Sequence, residues 1–400
     1  MNFPRILKKR KGYIDRIKPF MQKSVAKVLT GQRRVGKSFL LYQLIEEILG
    51  EEPDANIIYI NLEDFAFSSL QTAEDLHSYI ISHSKEKVKN YIFIDEIQDI
   101  PGFEKVIRSL LLNEDNDIYI TGSNAKMLSG ELATYLSGRY IEFKIYSLSY
   151  SEFLEFHGLT ESETSYELYS RYGGLPYLLN LPLEDETVNE YLKSVYSTIV
   201  FRDVVSRYKL RNTLFLEKLI QFLSENIGNL FSAKNISDYL KSQHTAISVN
   251  QIQSYTEYLN NAFLIHRVER YDLIGKRVFE IGEKYYFENM GIRNIVIGYR
   301  ITDKAKILEN LVYNHLLYKG YDIKVGYYGD KEIDFIGEKN GEKLYIQVAL
   351  KIDGDTAERE FGNLLKIQDN YPKIVVTEDT FSGNSYEGIR HCPIRQFLME

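Results

Sequence analysis

Tryptophan is absent from this chain, and cysteine occurs once, at Cys392. A lone thiol excludes a disulfide framework within the chain and any zinc site built on paired cysteines. The 8 prolines and 25 glycines in 400 residues are too few for collagen-like or low-complexity architecture. The 7 histidines follow no metal-ligand spacing. No apolar run approaches the roughly 18 residues of a membrane span, and the N-terminus lacks the apolar stretch of a secretory signal. Together these absences lead to the expectation of a cytoplasmic protein with no membrane partner. The chain does have an ordinary globular composition, 44% hydrophobic and 26% charged. Its length suggests two or three domains.

The net charge of −7 is unevenly spread. Residues 1–30 carry nine basic side chains against Asp15 alone. Such an arm suits nucleic acid or a membrane surface. The preferred reading is a solvated leader lying near an anionic ligand site, since basic runs are common and unspecific.

Hydrophobic periodicity divides the chain. The runs 25–30, Ile57–Ile60, Tyr91–Ile94, Ile118–Thr121 and Ile141–Phe143 read as strands apolar on both faces. Helical patterns over 39–48, 73–88 and 102–112 separate the first four, so the expectation is a buried parallel α/β sheet. After about residue 146 the strand signal stops. Residues 151–260 read as helices, with a break at Gly173-Gly174-Leu175-Pro176, and with Ser232 and Ser248 as helix caps. Short strands at Leu264–Val268 and Arg277–Phe279 follow, and helices followed by a hairpin form the pattern of a winged helix. From about 304 a helix (Ala305–Tyr318), strands at Asp322–Tyr328, Glu332–Gly337 and Leu344–Ala349, a helix near 357–369 and a strand at Lys373–Val376 form a third segment. The expected domains are 1–146, 147–300 and 301–400.

Gly31-Gln32-Arg33-Arg34-Val35-Gly36-Lys37-Ser38 fits G-x-x-x-x-G-K-[ST] and lies between a strand and a helix. Glycines let such a loop wrap close to phosphate oxygens, with its N–H groups and the following helix N-terminus supplying positive potential. Lys37 is expected on the β- and γ-phosphates and Ser38 on Mg²⁺. The candidate nucleotide contacts are Gly31, Gln32, Arg33, Arg34, Val35, Gly36, Lys37, Ser38 and Phe39. The apolar strand that ends in Asp95-Glu96 supplies the complementary acids: Asp95 to hold Mg²⁺, and catalytic Glu96 to polarise the attacking water. Beyond the next strand, Asn124 or Ser123 is a candidate γ-phosphate sensor, or else an ordinary turn. In Ser137-Gly138-Arg139-Tyr140, Arg139 is a candidate for stabilising transition-state charge, in cis or from a neighbouring subunit, or else a salt-bridge partner.

The runs TGQRRVGKS, FIDEIQ, TGSNAKMLSG, LSGRY and YGGLP resemble the prokaryotic AAA-type ATPases of the archaeal-ATPase-like, STAND-related group, over nearly the full chain. The layout resembles the subgroup that carries a C-terminal domain of unknown function 4143. The resemblance implies ATP with Mg²⁺ as cofactors and ATP hydrolysis as the activity. It also implies a P-loop NTPase sheet, a helical and winged-helix region, and a C-terminal α/β domain of PD-(D/E)xK nuclease-like fold. Implied partners are nucleotide, with DNA, a protein partner or a homo-oligomer as further candidates. In the tail, Glu309 and Asp334 match the nuclease positions, but Gln347 and Ala349 stand where a carboxylate and a lysine are needed, so nuclease activity is not expected. Lys351 is a candidate substitute for that lysine. The candidate recognition helix, with Asn250, Gln251, Gln253 and Ser254, lacks basic residues for tracking phosphates, and only Lys276 and Arg277 on the wing would help, so the preferred reading is an internal packing module that senses nucleotide state.

Overall fold

The structure is a computed structural model, and it describes residues 8–125, 136, 138–242, 247–275, 277–329, 331–352, 354–379 and 385–400. The chain folds into two compact units. One comprises residues up to Tyr146 together with Asn261–Phe263; the other comprises Ser147–Asn260 and Leu264–Glu400.

In the first unit, among the described residues, the strands β1 (Ala26–Thr30), β2 (Asn56–Asn61), β3 (Asn90–Asp95), β4 (Asn116–Gly122) and β5 (Tyr140–Lys144) form one sheet in the order β2-β3-β4-β1-β5. Every pairing is parallel, for example Val28 with Ile120 and Ile60 with Ile94. β1, β3 and β4 are buried along their whole length, as continuous apolar runs require when helices cover both faces. Helices α1 (Lys11–Ile17), α2 (Lys37–Glu51), α3 (Ala73–His83) and α4 (Phe103–Leu110) belong to this unit. α2 buries Leu40, Leu41, Leu44, Ile45 and Ile48 along one face. α3 starts at a Thr72–Asp75 capping box. It ends at His83, short of the expected 88, because the Asn90 side chain captures both backbone groups of Lys85 and turns the chain into β3. The described basic side chains Lys8, Lys9, Lys11, Arg16, Lys18 and Lys23 are exposed, as a solvated leader requires, but the segment also packs into the unit. α1 buries Tyr13, Ile14 and Ile17, and the buried Arg10 guanidinium donates to the carbonyls of Val35 (3.1 Å) and Tyr146 (2.8 Å).

The second unit begins with helices α5 (Tyr150–His157), α6 (Glu163–Tyr172) and α7 (Asp185–Thr198), the last continuing into a wider-wound turn at Ile199–Ser206. Helices α8 (Thr213–Glu225), α9 (Ala233–Ser242) and α10 (Val249–Asn261) follow. Ser232 and Ser248 accept from the backbone N–H groups of Asn235 and Gln251, as caps should. At the break, Gly174 has no room for a Cβ, which would meet the carbonyl oxygen of Leu148 at 2.4 Å. The antiparallel hairpin β6 (Ile265–Asp272) and β7 (Arg277–Phe287) is longer than its sequence pattern indicated. It is also not a separate wing. β6 pairs in parallel with β8 (Asp322–Tyr328), and the sheet continues through β9 (Lys331–Lys339), β10 (Glu342–Ala349) and β11 (Lys373–Thr377) to β13 (Ile389–Pro393) and β12 (Ser385–Tyr386). Helices α11 (Met290–Ile297), α12 (Lys304–Tyr318), α13 (Gly354–Leu365) and α14 (Ile394–Phe397) complete the unit. Among the described residues, no helix is long and apolar enough to cross a membrane.

Candidate nucleotide site

Loops at the carboxyl ends of β1, β3 and β4 meet at one edge of the parallel sheet, where such sheets bind their ligands. The loop after β1 takes the backbone conformations its glycines predict. Gly31 has φ 152° and Gly36 φ 97°. A Cβ on Gly31 would stand 2.1 Å from the carbonyl oxygen of Ile145, so only glycine fits there. Arg34 holds φ 71°, a left-handed turn that a non-glycine residue adopts at a cost. α2 starts at Lys37, so its unpaired N–H groups face the loop. Lys37 Nζ, itself buried, donates to the carbonyls of Gly31 (2.9 Å) and Gln32 (3.0 Å) and stands 3.8 Å from Glu96.

The acids lie where the motif expects them. Asp95 ends β3 and accepts hydrogen bonds from the Ser38 and Thr121 hydroxyls. Burial pushes its carboxyl above the usual range, opposed by those two bonds. Glu96 sits in the left-handed region, φ 58°. Its N–H donates to Thr121 Oγ1 at 2.9 Å, and its carboxylate accepts from Ser123 Oγ at 3.1 Å and from Gln98. Burial opposes ionisation of Glu96, but the positive charges of Lys37 and then Arg33 outweigh it and hold its carboxyl below the usual range. Asp95 and Ser38 form a hard-oxygen pair that suits Mg²⁺, and the loop's backbone suits a polyphosphate. The residues present therefore fit a nucleoside triphosphate with Mg²⁺.

The other candidates divide. Arg33 is buried and pairs with Glu63 at 2.9 Å. Gln32, fully buried, donates to the Phe263 carbonyl at 2.7 Å. Val35 lies in the core, and Phe39 is 47% exposed with its ring edge against Tyr42. Ser123 reaches Glu96, and Asn124 is buried beside it. Ser137 lies outside the described residues. Arg139 is exposed before β5, where its carbonyl accepts from Ala26 at the start of β1. That is the end of the strand opposite the loop, about 13 Å away at ~3.3 Å per residue. Its own chain therefore does not bring it to the phosphates. Thr121 went unrecognised in the sequence. It reads as one more β-branched strand residue, and only the register of β3 beside β4 brings its hydroxyl between Asp95 and Glu96.

In the tail, Glu309 on α12 and Asp334 on β9 do come together with Glu332, and Gln347 lies on the neighbouring strand β10, one residue past the Ile346–Phe335 pair. Lys284 of β7, a residue no motif pointed to, stands among the carboxylates. Lys351 lies past the end of β10, exposed, and does not join them. Lys276 lies outside the described residues, as does the side chain of Arg277.

Residues 23–154 match a family described as an AAA domain. Residues 163–303 match domain of unknown function 8612, which corrects the expectation of domain of unknown function 4143. An uncharacterised protein of Haemophilus influenzae is 37% identical over 98% of both chains. An uncharacterised protein of Methanocaldococcus jannaschii is 31% identical over 84% of this chain and 76% of its own. Among solved structures, a Walker-type ATPase of Pyrococcus abyssi has a similar fold, with TM-score 0.50 at 15% identity over 73% of this chain and 96% of that one. With its phosphate-binding loop, acid pair and parallel sheet in the arrangement above, the chain carries an AAA-type P-loop ATPase domain over residues 23–154 and belongs, end to end, to the same family as the uncharacterised Haemophilus influenzae protein.

Proposed function

We propose that this protein binds ATP with Mg²⁺ at Gly31–Ser38, hydrolyses it, and converts the change of nucleotide into movement of its 147–300 and 301–400 segments. The observation that carries the reading is the convergence of Lys37, Ser38, Asp95 and Glu96, each held by named partners. Bound Mg²⁺ would neutralise phosphate charge, with Ser38 and Asp95 as its holders. Lys37 would turn from the loop carbonyls to the phosphates. Glu96, kept ionised by Lys37 and Arg33, would orient the attacking water and accept its proton. Gln32 supports the coupling, because its amide holds the carbonyl of Phe263, a strained residue (φ 54°) between α10 and β6. A loop that shifts around phosphate would pull on that junction.

The test is steady-state ATP hydrolysis with Mg²⁺, beside Lys37→Ala and with and without duplex DNA. Turnover lost in Lys37→Ala supports the assignment, and turnover unchanged in that variant refutes it. Stimulation by DNA would add DNA as a partner, while indifference points to a protein partner.

Thr121 is a positioning residue in this scheme. Thr121→Val removes the acceptor for the Glu96 N–H and the donor to Asp95, so the expected drop in kcat is about 10- to 100-fold, the usual loss for a residue that orients a ligand-holding group. Half-saturating Mg²⁺ should rise as well, and Thr121→Ser should restore both. A valine variant with unaltered Mg²⁺ dependence would overturn this role.

A further inference from the structure

The nuclease resemblance expected from the sequence, which the comparisons do not bear out, would place a divalent metal ion among Glu309, Asp334 and the residue at 347, and the residues present do not fit one. Lys284 Nζ stands 2.9 Å from Glu309, 2.8 Å from Glu332 and 3.7 Å from Asp334. These are ammonium–carboxylate distances, whereas Mg²⁺ needs oxygen at about 2.0–2.1 Å. Lys284 is almost fully buried, so its charge has no water to fall back on. The other contacts complete a closed arrangement. Tyr286, two residues along the same face of β7, donates to Glu309 at 2.6 Å, and the backbone N–H of Val348 donates to Asp334 at 2.8 Å. Gly228 lies so close that a Cβ there would stand 2.8 Å from Glu309 Oε2. At the position where a third metal-holding carboxylate is needed, Gln347 offers a buried amide oxygen with no hydrogen-bond partner.

We infer that the ammonium of Lys284 occupies the position a divalent cation would take, making this cluster a metal-free ionic clasp that ties β7 to α12 and β9. One buried cation faces three carboxylates, and a metal ion could enter only by displacing it. The ammonium's charge is supported in turn: burial opposes it, but Glu309, Asp334 and Glu332 hold it protonated above the ordinary lysine range. Deleting the ammonium while keeping the side-chain volume would leave an all-oxygen set of Glu309, Glu332 and Asp334, donors suited to a hard divalent ion.

The experiment is Mn²⁺ titration, followed by electron paramagnetic resonance, of the full chain freed of nucleotide and metal. It compares the unaltered protein, Asp334→Asn, Lys284→Met and the double variant. The expected result is that Asp334→Asn leaves Mn²⁺ binding of the unaltered protein unchanged. Lys284→Met should gain one bound Mn²⁺ that the double variant loses, and Mn²⁺ should raise the melting temperature of Lys284→Met alone. Loss of a bound Mn²⁺ in Asp334→Asn would overturn the inference by revealing a native metal centre. A folded Lys284→Met that gains no Mn²⁺ would overturn it as well. Should Lys284→Met not fold, the unaltered protein and Asp334→Asn still decide between clasp and metal centre.

Discussion

Glu96→Gln should retain ATP binding and lower turnover by ~10²–10⁴-fold, the span of a lost general base. Glutamine keeps the shape of the side chain, and its carbonyl oxygen can still accept from Ser123 and Gln98, the partners that hold Glu96 now. The left-handed backbone at 96 and its N–H bond to Thr121 are untouched by the change. What disappears is the negative charge that Lys37 and Arg33 stabilise, and with it the proton acceptor. Equilibrium binding of a fluorescent ATP analogue and single-turnover hydrolysis separate the two effects. A variant that binds normally but turns over at the parent rate would remove Glu96 from the chemistry and move attention to Asp95.

The largest stability loss is expected at a pair far from that chemistry. Lys27 on β1 and Asp117 on β4 are both fully buried and form an ion pair inside the sheet unit. Asp117 also accepts from the Tyr119 hydroxyl and the Gln22 N–H, each at 2.8 Å. Lys27 donates to the Val25 carbonyl at 2.9 Å and lies 4.5 Å over the Tyr119 ring, which stacks on Phe93. Burial pulls the Lys27 ammonium below the ordinary lysine range, and Asp117 opposes that pull. Asp117→Ala strands the ammonium, and removing one member of a buried pair costs about 3–5 kcal/mol. The replacement of both by apolar residues, Lys27→Met with Asp117→Leu, should recover most of that loss, because the desolvation penalty goes with the charges. Urea unfolding of the single and double variants measures both. Equal losses in the two would mean that packing volume, rather than stranded charge, sets the stability of this region.

How far the sequence could be read depends on whether a feature is local in the chain. The phosphate-binding loop, the acid pair at the end of β3 and the serine caps are specified by neighbouring residues, because turn, strand and helix start are short-range structures. The parallel sheet was legible for the same reason, from apolar runs separated by helical periods. The basic leader was only half legible, because composition records charge and not the buried face of α1, where Tyr13, Ile14 and Ile17 pack inward while Lys11, Asp15 and Arg16 stay exposed. For Arg139 the motif gave spacing and not which end of a strand it occupies, which only the fold shows. Thr121, Lys27 and Asp117 carry no sequence signal of their own, since each looks like one residue of a strand until the register sets it beside a partner. Lys284 is the clearest case. Its strand lies at the sheet edge, separated in the sheet order from β9 by β6 and β8, yet its ammonium reaches β9 carboxylates and the Glu309 side chain of α12. The sequence determined by itself that this chain carries a phosphate loop, a helix start and paired acids, because local backbone chemistry requires those residues in that order. Only the tertiary structure decided which charges meet, because a buried charge must find its partner across strands and helices that the chain order leaves far apart.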